Sequence, residues 1–377
     1  MKLALGLTLA LSLAQATELR LLYSPKTPDV HKALKLFGLK AQKKKESKLF
    51  DVAHIDSAAL LSEDFDVLKK LQDSGHFNFI TLDSVEFELP IDSADELDKG
   101  WHHKNIQTKK AWEFTQGSEN VIVAVCDSGV EGKHEDLKNR LVKGYNFVGD
   151  DTSDTSPGTN HGTMVSGVIA SNSDLYGSVG VAPKVKIMPL KISNNGGSYL
   201  SDIIKCIEYA ADHGAKVVNV SFTGVQKKSI AAAGEYAWNK GAVLIYAAGN
   251  AGLWRWDWTN WYHTIAVGAT GRTDGRAKFS NKGGFLDLSA PGISIYTTTA
   301  YLTLESNEGK RYRAVNGTSF AAPIVSAVAA LLYSNHPKAG PKQVKDWLFK
   351  GVDRVGSSRK FGRGRINAYK ALKVSLE

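Results

Sequence analysis

The rhythm of hydrophobic and polar positions changes near residue 96. After Met1 and Lys2 an apolar run over residues 3–14 leads to small residues at 14–16 and then to the polar Thr17 and Glu18. Residues 18–23 alternate as a half-buried strand does, residues 28–37 suit a helix, and residues 48–55 again suit a strand. Ser62 can cap a helix whose Phe65, Leu68 and Leu71 follow a three-residue step and which ends near Gly75. Residues 77–89 are rich in β-formers, so the order predicts a small split βαβ domain.

Beyond residue 100 the apolar positions come in longer blocks. Residues 121–126 and 242–248 are continuous enough to be strands buried on both faces of a parallel sheet. From His161 onward, Gly162, Ser166, Gly167 and Ala170 recur near helical spacing, which predicts a helix opening at the histidine and packed close to the sheet. Residues 201–213 suit a helix, and residues 321–332 predict one buried nearly all round. Pro323 is expected in that helix's first turn, where the missing amide is not needed.

Three of these blocks each end or begin on a reactive side chain. Asp127 follows the first strand, His161 opens the small-residue helix, and Ser319 sits where the long apolar helix starts. A serine hydroxyl is a poor nucleophile unless an imidazole removes its proton, and that imidazole needs a buried carboxylate to fix its tautomer. Ser319 is expected at the positive end of a helix dipole, with amides near a developing oxyanion. Asn250, after the glycine turn that closes residues 242–248, can offer a carboxamide to the same charge. If His161 is the base, activity rises with its deprotonation, with a midpoint of about 7.

Together these segments resemble the subtilisin-like serine proteases, the subtilase family, in which the order is likewise Asp, His, Ser. The likeness runs from about residue 101 to 371 and includes Gly180-Val-Ala-Pro183, Val217-Val-Asn-Val-Ser221, Ala266-Val-Gly-Ala-Thr270, Ser289-Ala-Pro-Gly292 and Gly364-Arg-Ile-Asn-Ala368. It implies an α/β fold, a mostly parallel central sheet with helices on both faces, preceded by a small α+β propeptide domain. The expected organisation is a signal peptide over 1–16, a propeptide over 17–96 and a catalytic domain over 97–377, with cleavage between Leu89 and Gly100. The resemblance implies a serine endopeptidase with Asp127, His161, Ser319 and Asn250 as catalytic residues, protein or peptide substrates, and its own propeptide as an intramolecular inhibitor. Substrate would lie along two edges, Ser221, Phe222, Thr223 and Gly224 on one side and Gly196 and Gly197 on the other, by strand addition. Asp136 and Asp174 align with positions that bind a structural Ca2+ in related enzymes, although two carboxylates are equally compatible with ordinary turns.

The chain departs from the family's usual residues at Phe320 and Ile324, and in residues 253–261, where Trp254, Trp256, Trp258 and Trp261 fall close together. The tryptophans could form an aromatic rim of the first specificity pocket, or equally a local cluster that clamps a shortened loop.

Charge and cysteine content narrow the remaining options. The net charge of +9 is uneven: residues 1–96 hold 12 Lys/Arg against 15 Asp/Glu, net −3, so the remainder carries +12. No basic helix or aromatic–basic module accompanies that charge, so nucleic acid is not an expected partner. The basic start, short apolar core and small residues before Thr17 read as an export signal, too short to span a bilayer, and no later run reaches the roughly 20 apolar residues of a span. A secreted monomer is expected. Cys126 and Cys206 read as buried free thiols rather than a bridge. An esterase of the α/β-hydrolase kind is disfavoured, because it would want Gly-x-Ser-x-Gly and the histidine last. A catalytically dead binding protein is disfavoured because all four catalytic positions are filled.

Overall fold

The computed structural model describes residues 18–37, 39–41, 47–56, 65–88, 92–94, 99–148, 154–172, 177–300 and 311–377. The expected signal peptide, Ser62, Leu89 and Asp174 lie outside them. The chain forms two compact units, residues 1–85 and 86–377.

In the smaller unit, β1 (Glu18–Pro25), α1 (Val30–Leu36), β2 (Lys40–Ala41), β3 (Asp51–Asp56), α2 (Phe65–Asp73) and β4 (Phe77–Leu82) follow one another in the βαββαβ order. The sheet order is β2-β3-β1-β4 and every pairing is antiparallel. Leu21 and Tyr23 of β1 meet Val30 and Leu34 of α1 and Leu71 of α2 in one apolar core. Gly75, with φ of +75°, ends the turn after α2 in the left-handed region that glycine adopts without strain.

The larger unit begins with β5 (Val85–Phe87), counted here from Glu86, and β6 (Asp92–Ala94). Then come α3 (Trp101–Asn105), α4 (Thr108–Ala111), β7 (Ile122–Asp127), β8 (Tyr145–Asn146), α5 (His161–Ala170), β9 (Lys186–Lys191), β10 (Gly197–Tyr199), α6 (Leu200–Asp212), β11 (Val217–Val220), α7 (Lys228–Asn239), β12 (Val243–Ala247) and β13 (Thr264–Thr270). The last part holds β14 (Leu288–Pro291), β15 (Ile295–Thr298), β16 (Tyr312–Asn316), α8 (Thr318–Asn335), α9 (Pro341–Lys350), β17 (Val352–Asp353), α10 (Ser358–Phe361), β18 (Arg365–Ile366) and α11 (Ala368–Val374).

Nine strands form one sheet in the order β17-β18-β14-β13-β12-β11-β7-β9-β8. All pair in parallel except the edge strand β17. Residues 123–126 of β7, all of β11 and all of β12 are buried, as their continuous apolar sequences require of strands covered on both faces. The core joins those strands to α5 and α8. α8 has the length and hydropathy of a membrane span, contrary to the expectation from run length, yet 89% of it is buried in the unit. It is the central core helix.

The structure corrects two readings. Cys126 at the end of β7 and Cys206 in α6 form a disulfide, with Cα atoms 6.1 Å apart. Their separation of 80 residues carries no spatial information until the helix is packed on the sheet. Pro323 is the sixth residue of α8, past its first turn. The carbonyl it deprives of a helical amide is that of Ser319, four residues back, and Ser221 Oγ donates to that oxygen at 3.3 Å. A proline inside the helix is tolerated because a neighbouring strand end replaces the missing donor.

Candidate active site

Asp127 is the last residue of β7, between β11 and β9, where an open parallel sheet presents its carboxyl ends. Its buried carboxylate accepts from the amide of Ser128 at 2.8 Å, which fixes its orientation. His161 opens α5 immediately above. Gly162 is required there, because a Cβ would lie 2.2 Å from the carbonyl oxygen of Gly129 and 3.1 Å from Asp127 Cβ. The approach sets His161 Nδ1 at 2.9 and 3.0 Å from the two Asp127 oxygens, so Nδ1–H donates to the carboxylate and Nε2 faces the other way.

Ser319 is the second residue of α8, and α8 packs on α5. The Phe320 ring stands 5.8 Å from the His161 ring, centroid to centroid, so the departure at 320 fills apolar space beside the imidazole. Ile324 is likewise fully buried. Asp127, His161 and Ser319 are all inaccessible to solvent, and His161 Nε2 and Ser319 Oγ are buried without a hydrogen-bond partner among the described residues. An unmet buried polar atom costs about 1–3 kcal/mol, and proteins retain such atoms where chemistry uses them.

Asn250 follows Gly249, whose φ of +93° makes the turn out of β12. Thr318 donates its amide and its hydroxyl to Asn250 Oδ1 at 2.9 and 2.7 Å, and its hydroxyl accepts from the Gly249 amide at 3.1 Å. This clamp turns Nδ2 toward Gly317, 3.3 Å from where a Cβ there would stand. Thr318 is absent from the sequence-based site, although a threonine directly before the candidate serine was available as a signal.

Both anticipated peptide edges are occupied by the chain's own residues 86–88. Phe87 and Thr223 exchange hydrogen bonds, Thr223 amide to Phe87 carbonyl and Phe87 amide to Thr223 Oγ1, each at 3.0 Å. Glu88 donates its amide to the Gly196 carbonyl at 2.7 Å and bridges Phe222 in antiparallel fashion. Gly197 begins β10, the partner of β5. Further on, β6 pairs with β16, Asp92 opposite Asn316, three residues before Ser319. Ser221 contributes its hydroxyl to α8 rather than to that pairing. Asn219, which donates to Ser221 Oγ at 3.2 Å, joins it from β11.

The Glu88 carboxylate reaches the catalytic pair. Ligand atoms of Glu88, Asp127 and His161 lie within 4.8 Å of one another, and Thr159 Oγ1 is 2.8 and 2.9 Å from the two Glu88 oxygens. Burial raises the Glu88 pKa above the ordinary carboxylate value, the His161 charge opposes that rise, and the Asp127 charge adds to it. For His161, burial alone lowers the pKa, but the charge and hydrogen bond of Asp127 and the charge of Glu88 outweigh it and lift it to about 9. This lies above the midpoint of about 7 expected from sequence, chiefly through Asp127, with Glu88 adding a smaller share.

The calcium reading finds little support at Asp136. Its Oδ2 accepts from the Ser178 amide at 3.1 Å, so a protein donor occupies an oxygen that a cation shell would need. The tryptophan segment is mainly a local cluster. Trp254 and Trp256 stack at 4.7 Å and Trp258 packs edge-on against Phe285 at 4.8 Å, while Trp258 also approaches the Gly249 turn, 3.8 Å from where a Cβ there would stand.

Comparison with known proteins agrees with this geometry. Residues 118–364 match the Subtilase family. The chain is 38% identical over 274 residues to a thermophilic serine proteinase of Bacillus sp. (strain AK1), covering 71% of this chain and 66% of that protein. It is 36% identical over 274 residues to thermitase of Thermoactinomyces vulgaris, covering 71% of this chain and 94% of thermitase. The structure of fervidolysin from Fervidobacterium pennivorans, described as a keratinolytic enzyme related to subtilisin, superposes with a TM-score of 0.73 at 27% identity, over 95% of this chain and 61% of fervidolysin. This chain belongs to the subtilase family and is a serine-type endopeptidase.

Proposed function

We propose that the protein is a secreted endopeptidase made as a precursor, which cuts itself and then hydrolyses protein substrates through an acyl-enzyme. Ser319 attacks the scissile carbonyl while His161 Nε2 takes its proton. His161 then returns the proton to the leaving amine, and a water repeats the cycle on the ester. Asp127 holds the imidazole in the tautomer with hydrogen on Nδ1 and offsets its positive charge. Asn250 Nδ2 and the Ser319 amide receive the oxyanion, a task in which loss of one donor costs about 10²–10³ in turnover in serine proteases. Residues 221–224 and 196–197 hold an extended peptide between them. Residues 17–96 act as the inhibitor and residues 1–16 as the export signal, while Asp136 and Asp174 as a calcium pair stay a weaker part of the reading.

The observation that carries this reading is the doubly bonded Asp127–His161 pair with His161 Nε2 and Ser319 Oγ left as buried reacting atoms. The pairing of residues 86–88 with both peptide edges supports self-inhibition, because an incoming substrate would need the same hydrogen bonds. The test is Ser319→Ala. The variant should accumulate as the full-length precursor, leave casein intact and resist a fluorophosphonate label that the unaltered protein takes. Casein hydrolysis by the variant at the normal rate would end the assignment.

A further inference from the structure

The retained part of the cleft holds two acidic side chains in built sites. An extended backbone directs alternate side chains to opposite faces. Phe87 accordingly points outward and is 58% exposed, whereas Glu86 is 8% exposed and Glu88 is half-buried. We propose that the cleft selects peptides with an acidic side chain at the position held here by Glu86 and a carboxyl- or carboxamide-bearing side chain at the alternate position held by Glu88, with Lys227 and Thr159 as the specificity-determining residues. The inference rests on the reading of residues 196–197 and 221–224 as substrate edges.

At the first position Lys227 Nζ forms an ion pair with Glu86, and Thr223 Oγ1 donates to Glu86 Oε2 at 3.0 Å. Gly224 makes room for that carboxylate: a Cβ there would stand 2.2 Å from the Glu86 carboxyl carbon. The two side chains of the pair are 30% and 10% exposed, so their attraction is less screened than that of a surface pair. A glutamine keeps the shape of Glu86 but gives Lys227 no charge to meet.

At the second position the Thr159 hydroxyl has one proton, and both Glu88 oxygens lie within reach of it. Ser128 Oγ stands 2.8 Å behind Thr159 Oγ1 and tethers it to the loop after β7. Lys227, Thr159, Thr223, Gly224 and Ser128 all lie after residue 97 and stay when a leader is removed. The net charge of +12 on that part also draws acidic peptides toward the cleft.

The experiment digests a random peptide library with the processed enzyme and reads residue frequencies before each cut by mass spectrometry. At the first position Glu and Asp should be enriched about tenfold over Gln, an enrichment that should shrink between 50 mM and 500 mM salt, where screening is stronger, and at the second position, where Thr159 offers a hydroxyl and no charge, Glu and Gln should be enriched alike over apolar residues. Lys227→Glu should reverse the preference at the first position to Lys, a gain that misfolding cannot produce. Thr159→Val should remove the preference at the second position and leave the first. Absence of acidic enrichment at the first position from the unaltered enzyme, or a first-position acidic preference that survives Lys227→Glu, overturns the proposal while leaving the protease reading intact. If the enzyme cuts no peptide in the library, the protease reading fails and takes this inference with it.

Discussion

The hydroxyl of Ser221 donates to the main-chain carbonyl of Ser319 across 3.3 Å, in the place that an amide at position 323 would occupy were it not proline. Ser221→Ala should therefore leave that buried carbonyl without a donor and cost about 1 kcal/mol. In a domain of this size the melting temperature should fall by roughly 2–4 °C. Pro323→Ala in the Ser221→Ala background restores an amide at the right place and should recover most of the loss. A double variant that melts no higher than Ser221→Ala would show that the contact is incidental.

If the chain cuts itself as proposed, Glu88 bears on the timing of that cut. His161 must be neutral to accept the Ser319 proton, and Asp127 with Glu88 holds its pKa at about 9, against the depression that burial alone would cause. Removing the Glu88 charge lowers the proton affinity of the imidazole, so the conversion of a Glu88→Gln precursor should reach its half-maximal rate at a lower pH than that of the unaltered precursor. If the proposed cut falls after residue 88, the processed forms lose that residue and should share one pH profile. Conversion rates of purified precursor from pH 6 to 10 provide the measurement, and coincident profiles for the two precursors would refute the idea.

Acid should weaken the larger unit through His103 in α3. Burial pushes its pKa down to about 4, against a smaller opposing effect of its hydrogen bond to the Val179 carbonyl. Between pH 6.5 and about 4 the unfolded chain takes up a proton that the folded chain refuses, so stability falls as pH falls through that window and levels off below it. The loss expected from His103 is about 3 kcal/mol, and the neighbouring His102, which burial also holds well below its ordinary value, adds to it in the same direction. Denaturant midpoints of the inactive Ser319→Ala protein at pH 7 and pH 4.5 should differ more than those of the same protein carrying His103→Gln. Equal differences would mean that His103 is not the group responsible.

The Cys126–Cys206 bridge closes a loop of about 80 residues and ties the strand bearing Asp127 to α6. By the loop-entropy argument its removal costs up to about 4 kcal/mol. Cys206→Ser with Cys126→Ser should lower the guanidinium midpoint under oxidising conditions and abolish any effect of dithiothreitol on it. Alkylation of both cysteines in the native, unreduced protein would contradict the bridge.

The elements that carry chemistry were legible because local pattern decided them. The apolar block at 121–126 could bury only as a two-sided strand, and Asp127 is that strand's last residue. The small residues after His161 allow the helix to approach Asp127, and Gly162 is where the fit is tightest. The alternation at 18–23 and the three-residue step of Leu68 and Leu71 likewise survive in β1 and α2. Pro323 was misplaced because its tolerance depends on Ser221, a residue about 100 positions away. The disulfide and Glu88 were missed for the same reason, since each is defined by a partner distant in sequence.

Taken alone, the sequence determined which segments are strands and helices and which side chains end them, since hydrophobic period and turn chemistry act over a few residues. Tertiary structure alone decided which distant groups meet: Asp127 with His161, Thr318 with Asn250, Glu86 with Lys227, and Glu88 with Thr159. It thereby set the proton affinity of His161, because charge–charge energies depend on separation and burial in space, and neither is written in the distance along the chain.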